Sequence, residues 1–115
     1  MEKTLTIDGR QVKFKSTGAF LLRYKAQFSR DALQDLFKLQ EAVNSKGQVK
    51  DINALDLEVM FDLVWTLAKT ADPNIPPPLE WLDEFSEFPL LDEIIPEVTD
   101  MMLSSFKSTV QSKKK

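Results

Sequence analysis

The 115-residue chain contains no cysteine and no histidine. Without cysteine it has no disulfide framework and no thiolate nucleophile, as is common in reducing compartments. Without either residue, the common zinc sites, the Ser-His-Asp and Cys-His catalytic arrangements and the usual proton shuttle near pH 7 are excluded. Only carboxylates, lysine, tyrosine and hydroxyl groups remain for chemistry. The composition therefore predicts that the protein is not an enzyme and has no catalytic residues, metal site or cofactor.

Long apolar runs and an excess of positive charge are also missing. No run approaches the roughly 18 apolar residues of a membrane span, and the opening "MEKTLTID" lacks the apolar segment of a signal peptide. The net charge is -3 and the isoelectric point is near 5.0, whereas nucleic-acid binding needs a concentrated basic surface. We therefore expect no nucleic-acid partner, no membrane partner and a cytoplasmic location.

The residues that are present predict one folded domain over residues 1–115. Hydrophobic residues make up 43% and charged residues 29% of the chain, which is ordinary for a globular protein with a single core. Alternating apolar and polar residues occur only near the N-terminus, and helical spacing dominates the rest. The predicted fold is mainly α, a small helical domain of four to five helices with one N-terminal β-hairpin.

The hairpin is predicted over residues 4–15, at the start of the segment "LTIDGRQVKFKSTGAFLLRYKAQF". Its centre is Asp8-Gly9, and this pair between alternating residues is the strongest short-range hairpin signal. A two-residue turn places Leu5 opposite Val12, and the apolar face that results must cover other apolar side chains. We expect this face to pack on the central helix and a free strand edge to meet another copy. The predicted self-association residues are Leu5, Ile7, Val12 and Phe14.

Helices are predicted over 18–28, 30–44, 53–71, 78–87 and 89–110, with a flexible tail at 111–115. In the second helix Ser29 is the expected cap, and one stripe is expected to contain Leu33, Leu36, Phe37 and Val43. The third helix, which Asp51 or Asn53 could cap, is apolar around most of its circumference and is therefore expected to be central.

Prolines punctuate the second half of the chain. The segment "DPNIPPP" must end the third helix and predicts a rigid connector, with a polyproline ligand as the alternative. Pro96 lies inside a helical pattern. Either the last helix kinks there, or a short helix ends at Ile95 and a new helix begins with Pro96 in its first position.

Charge is unevenly distributed along the chain. Nine acidic residues and no lysine or arginine lie between Thr70 and Phe106. A run of like charge is usually a solvated face, and this is the favoured interpretation of the segment. The alternative is a contact surface for a partner, because large apolar residues alternate with these acids. The same apolar residues could equally complete the protein's own core. The predicted partner-binding residues are Trp81, Phe85, Phe88, Leu90, Met101 and Met102.

The layout of the chain resembles the tail assembly chaperones of long-tailed bacteriophages, particularly those of phages and prophages of Gram-positive bacteria. The resemblance is carried by residues 5–28: a strand, Asp-Gly, a second strand and a helix containing "LLRY". It continues in layout through a mainly helical remainder with an acidic end that contains tryptophan.

This resemblance implies a protein of the host cytoplasm that binds the long, helical tape measure protein and keeps it soluble during tail assembly. It also implies a homo-oligomer. In that family a programmed ribosomal frameshift commonly yields a longer product whose added domain recruits the tail tube protein. The terminal "KKK" is compatible with an A-rich slippery sequence.

Two other functional classes remain open from the residues alone. A helical protein-interaction adaptor or small regulator would have the same composition. A metal hydrolase that depends on carboxylates would use pairs such as Glu80 with Glu84 or Asp92 with Glu93. No glycine-rich phosphate loop, calcium-binding loop or nucleophile motif accompanies these pairs, which favours an interaction protein.

Overall fold

The computed structural model describes residues 1–54 and 56–111, with side chains as far as residue 104. The described chain is mainly helical and contains one antiparallel hairpin, as predicted. Its buried apolar side chains form a single cluster to which the hairpin and all the longer helices contribute. Leu55, which the sequence places in the third helix, and the predicted tail beyond residue 111 lie outside the described residues.

The hairpin consists of β1 (Glu2–Ile7) and β2 (Arg10–Lys15). Asp8 and Gly9 have φ values of 54° and 78°, the positive values that a type I′ turn requires at both central positions. Leu5 pairs with Val12, which confirms the predicted register. A further pair of backbone hydrogen bonds between Met1 and Ser16 extends the ladder by one residue on each strand.

Two short helices follow the hairpin, α1 (Phe20–Phe28) and α2 (Ala32–Ala42). Ser29 was predicted to cap α2 but instead ends α1, in a left-handed conformation with φ 58°. Asp31 caps α2, because its carboxylate accepts a hydrogen bond from the Leu33 amide. The stripe predicted for this helix is wrong at Phe37, which is 53% exposed, because the buried face contains Leu39 instead.

The loop after α2 turns back sharply before a 3-10 turn (Ile52–Ala54). Val43 and Val49 form an isolated antiparallel bridge across this loop. Gly47 has φ 80°, and a β-carbon at this position would lie 2.9 Å from the Pro96 carbonyl oxygen. Glycine at this position therefore allows the loop to approach the beginning of the last helix closely.

The central helix, α3 (Leu57–Ala71), is buried along most of its length, as predicted, and β2 packs against it. It begins later than expected, because the carboxylate of Asp56 accepts hydrogen bonds from the Glu58 and Val59 amides and caps it. The proline segment then acts as a fixed connector. The indole of Trp65 donates to the Pro76 carbonyl at 2.9 Å.

The C-terminal third is less regular than predicted. Helix α4 (Pro78–Leu82) is half the predicted length, and a π-helical turn (Leu90–Ile94) leads into α5 (Ile95–Gln111). The α-helical geometry thus begins at Ile95, with Pro96 in its first turn. This outcome is close to the second predicted alternative, in which a new helix begins at Pro96. A proline in the first turn is tolerated, because its missing amide has no partner within the helix there.

Candidate interaction surface

The hairpin is held by its apolar face. Ile7, Val12 and Phe14 are at most 7% exposed and lie in the core, while Leu5 is only partly buried. The prediction that this face packs on the central helix is confirmed for β2, which packs on α3. The use of the same four side chains as a surface for a second copy is corrected, because three of them are already covered by their own chain.

The turn of the hairpin is tied to the segment that follows α4. The Asp8 carboxylate accepts hydrogen bonds from the Ser86 amide at 2.8 Å and from the Ser86 hydroxyl at 2.9 Å. These two hydrogen bonds lower the pKa of the Asp8 carboxyl below its ordinary value, since they favour the charged form. The Arg10 guanidinium pairs with Glu84 at 3.1 Å and lies 4.5 Å from the centre of the Phe85 ring.

The open end of the hairpin has its own attachment. The Lys3 ammonium donates to the Glu97 carbonyl oxygen at 2.8 Å and pairs with the Glu97 carboxylate at 3.4 Å. Together with the contacts at the turn, this bond fixes both ends of the hairpin against the acidic segment between residues 70 and 106. We refer to this segment as the acidic C-terminal third. The hairpin is thereby held in one orientation, although a two-stranded sheet alone is marginally stable.

The two outer edges of the hairpin remain open. The tight turn makes Ile7 and Arg10 a hydrogen-bonded pair, so the alternation of an antiparallel ladder directs other main-chain groups outward. In the described part of the structure, no main-chain hydrogen bond uses these outward groups. They belong to Glu2, Thr4 and Thr6 on β1 and to Gln11, Lys13 and Lys15 on β2.

Each open edge borders a groove. The groove beside β2 has a volume of about 350 Å³, and its opposite wall contains Ala68, Ala71 and Ile75. The groove beside β1 has a volume of about 540 Å³ and is walled by the π-helical turn and the beginning of α5. Its strand wall is Leu5, Thr6 and Ile7, and its acidic residues are Asp92, Glu93 and Glu97.

The predicted partner-binding set lies in the interior. Trp81, Phe85 and Leu90 are at most 7% exposed, Met101 and Met102 are at most 1% exposed, and Phe88 is half-buried. Three edge-to-face ring contacts, with centroids 5.2 to 5.5 Å apart, join Trp81, Phe85 and Phe88. The expectation that these residues form an exposed apolar surface is therefore corrected: they complete the core of their own chain.

The acidic residues of this segment behave differently from its aromatic ones. All nine carboxylates between residues 70 and 106 are exposed, which agrees with the interpretation of the charge run as a solvated face. Asp92 and Glu93 have no ion-pair partner among the described residues. The described residues contain no group of three or more acidic side chains placed to hold a metal ion.

A second set of ionisable groups, which the sequence patterns did not indicate, lies between α1, α2 and α3, with Tyr24, Asp35 and Asp62 buried and Arg30 partly exposed. The Arg30 guanidinium donates to Asp62 at 2.5 Å and to the Tyr24 hydroxyl at 3.0 Å. The Tyr24 hydroxyl in turn donates to Asp35 at 2.8 Å. The available signal was Asp62, a charged residue within the otherwise apolar sequence "MFDLVW". A carboxylate on a helix that is expected to be buried needs a polar partner.

Burial and pairing act in opposite directions in this cluster. Burial raises the pKa of the Asp62 carboxyl above its ordinary value, although the hydrogen bond from Arg30 partly offsets this effect. Burial also raises the pKa of the Tyr24 hydroxyl, so the phenol stays protonated and donates to Asp35. Burial lowers the pKa of Arg30, but the hydrogen bonds to Asp62 and Tyr24 outweigh it and raise the pKa overall. The cluster is a charged tie between three helices.

The exposed apolar side chains lie elsewhere. Ile52 in the 3-10 turn is 62% exposed and Leu57 at the beginning of α3 is 50% exposed. The 3-10 turn packs against α2, whose Phe37 is also largely exposed. Leu79 is 74% exposed but lies on α4, beyond the other end of α3. We refer to Ile52 and Leu57, which lie just before and at the beginning of α3 along the chain, as the α3 entrance patch.

Comparison of the chain with known protein families, with curated proteins and with solved structures finds no match. None of the described helices has the length and apolar character that crossing a membrane requires.

Proposed function

We propose that the protein is a non-enzymatic tail assembly chaperone of a long-tailed bacteriophage or prophage, which binds the tape measure protein and keeps it soluble. The observation that carries the proposal is the hairpin, most of which lies within residues 5–28, the segment on which the resemblance rests. This hairpin is fixed at the turn by Asp8 and at the open end by Lys3, yet both its edges are open. A fixed hairpin with open edges suits a protein that assembles with others.

The proposal places the client at the α3 entrance patch. A tape measure protein is a long helical chain with apolar stripes, and such a helix needs exposed apolar side chains on its partner. Ile52, in the 3-10 turn that packs on α2, and Leu57 supply them, whereas Trp81 and Phe85 of the acidic third are buried. The exposed carboxylates of that third keep the chaperone soluble while the patch is unoccupied. In a longer frameshifted product, the added domain would bind the tail tube protein.

Co-expression with a tape measure fragment tests this proposal. The fragment is expected to be insoluble alone and soluble with the wild-type chain, in proportion to the chaperone present. The double variant Ile52→Ser with Leu57→Ser should lose this effect at an unchanged melting temperature, because both side chains are exposed. Leu79→Ser is the control, since it removes an even more exposed leucine, which lies on α4 and outside the patch, and should keep the fragment soluble.

The alternative is a helical adaptor or small regulator, which would use the same exposed apolar residues on a different partner. A wild-type chain that folds, but leaves every tape measure fragment in the insoluble fraction, would refute the chaperone proposal in favour of this alternative. Loss of solubilisation in the Leu79→Ser control, with the double variant unaffected, would place the client on α4 instead.

A further inference from the structure

We propose that copies of this chain join head to tail, with the β2 edge of one copy pairing antiparallel with the β1 edge of the next. The inference deepens the proposed function, since a rod-shaped client is coated by a row of copies. It rests on the open hairpin edges and on the charges beside them, and it is tested without the client.

The first step of the argument is the main chain. Outward amide and carbonyl groups occur at Gln11, Lys13 and Lys15 on β2 and at Glu2, Thr4 and Thr6 on β1. Both rows have the same two-residue spacing, so one row can complete the hydrogen bonds of the other. If the register of the hairpin itself is repeated between copies, Lys13 lies opposite Thr4 of the second copy and Gln11 lies opposite Thr6 of that copy.

The second step is charge. Arg10 and Lys13 lie on the strand wall of the groove beside β2, and Lys13 has no ion-pair partner among the described residues. The groove beside β1 contains the unpaired carboxylates of Asp92 and Glu93. Pairing two β2 edges would place lysines of the two copies near each other, and pairing two β1 edges would bring their carboxylates together. Both arrangements are repulsive. Only the mixed pairing places opposite charges in proximity.

The third step is shape. Leu5 keeps part of its surface exposed at the β1 edge, and Ile75 is half-buried in the groove beside β2. In the mixed pairing the strand of the second copy enters the groove walled by Ala68, Ala71 and Ile75. The two alanines leave space for it. A contact between two different surfaces does not close on itself, so copies add without a fixed limit and form an open row.

Sedimentation velocity on the purified full-length chain tests the pairing. The average mass of the wild-type chain should rise continuously with concentration. Lys13→Glu and Glu93→Lys should each sediment as monomers at concentrations where the wild-type chain associates. An equimolar mixture of the two variants should form rows again, because the intact β2 edge of Glu93→Lys meets the intact β1 edge of Lys13→Glu. At the alternate junctions both charges are reversed and attract each other as well. The double variant should associate again.

Matched controls separate the edge from net charge. Lys38→Glu and Glu41→Lys make the same charge changes at exposed positions of α2 and should associate like the wild-type chain. Lys13→Ala removes the lysine charge but keeps the main-chain amide, so it should associate more readily than Lys13→Pro. Lys13→Pro removes the same charge and an outward amide but no hydrogen bond of the hairpin, because Lys13 and Thr4 form a non-hydrogen-bonded pair. It should keep the melting temperature and lose association.

Four results would overturn the inference. They are a strictly monomeric wild-type chain at every concentration, a dimer that grows no further, unchanged association of the Lys13 variants, and a mixture of the two charge variants that stays monomeric. None of these results decides whether the chain keeps a tape measure fragment soluble, so the proposed function stands or fails separately. Conversely, a chain that forms open rows but binds no such fragment would refute the chaperone proposal alone.

Discussion

The hairpin and the acidic C-terminal third both combine apolar and polar side chains within short segments, yet they present different groups to solvent. In the hairpin the apolar side chains are buried and the main chain is open at both edges. In the C-terminal third, Trp81 and Phe85 also turn inward, but the exposed groups are carboxylates. In both regions the apolar residues therefore mark the buried face. The groups left for contact with a partner differ, because a strand edge exposes main-chain amides and carbonyls, whereas a helix presents side chains.

The largest expected effect tests whether the aromatic residues of the acidic third are core. Trp81→Ala should lower the free energy of unfolding by about 3 to 5 kcal/mol, because it removes a large side chain that is 2% exposed. Urea denaturation followed by circular dichroism measures this change. Leu79→Ala, two residues away and exposed, is the control and should stay within about 0.5 kcal/mol of the wild-type value. Equal stability of both variants would show that Trp81 belongs to a surface.

The second prediction contrasts a cation that pairs with two buried carboxylates, Arg30, with an exposed cation, Lys38. Arg30→Met leaves Asp35 and Asp62 without their cation and should lower the free energy of unfolding by about 2 kcal/mol. The value is below the cost for a fully buried pair because the Arg30 side chain is 33% exposed. Lys38→Met makes the same change at an exposed position and should have almost no effect. Denaturant titration of both variants at pH 7 decides, and similar stabilities would refute the role of Arg30 as a tie.

The third prediction concerns the tie between the hairpin turn and the segment after α4. Since the folded-state pKa of Asp8 is lowered, its stabilising contribution is present above the ordinary pKa of 3.8 and is lost as the pH falls through the folded-state value. Wild type should therefore be more stable than Asp8→Asn at pH 7, and the difference should shrink towards pH 3. Asparagine is the suitable replacement because it tolerates the positive φ of this turn.

Ser86→Ala provides the matched experiment for the tie, because it removes one of the two hydrogen bonds to the Asp8 carboxylate and keeps the backbone bond. In this background the stability lost on Asp8→Asn substitution should be smaller at pH 7 and should still decline with acid. A loss that is the same at both pH values in either background would mean that the carboxylate does not hold the turn.

The smallest expected effect separates the two faces of β2. Lys13→Ala should change the free energy of unfolding by less than about 0.5 kcal/mol, because its side chain points to solvent. Val12→Ala, at the neighbouring position, should lower the free energy of unfolding by about 2 kcal/mol, because the Val12 side chain faces the core. Thermal melts of the two variants measure the contrast. Equal losses would mean that the alternation of faces does not hold in this strand.

Much of the fold follows from local sequence patterns. Asp8-Gly9 predicted the hairpin and its register, and the dense apolar spacing around Trp65 predicted that α3 is central. The helix starts were less accurate, because several aspartates near α2 and α3 are equally good caps in sequence. Asp31 and Asp56 are the ones used, and this choice depends on where each helix must begin in order to pack.

The candidate surface was harder to predict than the fold. Trp81, Phe85 and Phe88 fit either a contact surface or a core, since both require large apolar side chains beside acids. The Arg30 cluster was missed because its members come from α1, α2, α3 and the loop after α1, and no local pattern links Arg30 with Asp62 across 32 positions.

The sequence by itself determined the chemical inventory, the hairpin and the periodicity of the helices, because these depend on residue types and on neighbours a few positions apart. Only the tertiary structure decided which apolar residues are covered, because burial depends on the packing of distant segments on the same core. It also decided that the hairpin is tied to Ser86 and Glu97 while its edges stay open. Main-chain groups carry no sequence signal of their own, so only the surrounding fold reveals whether a strand edge is covered or available.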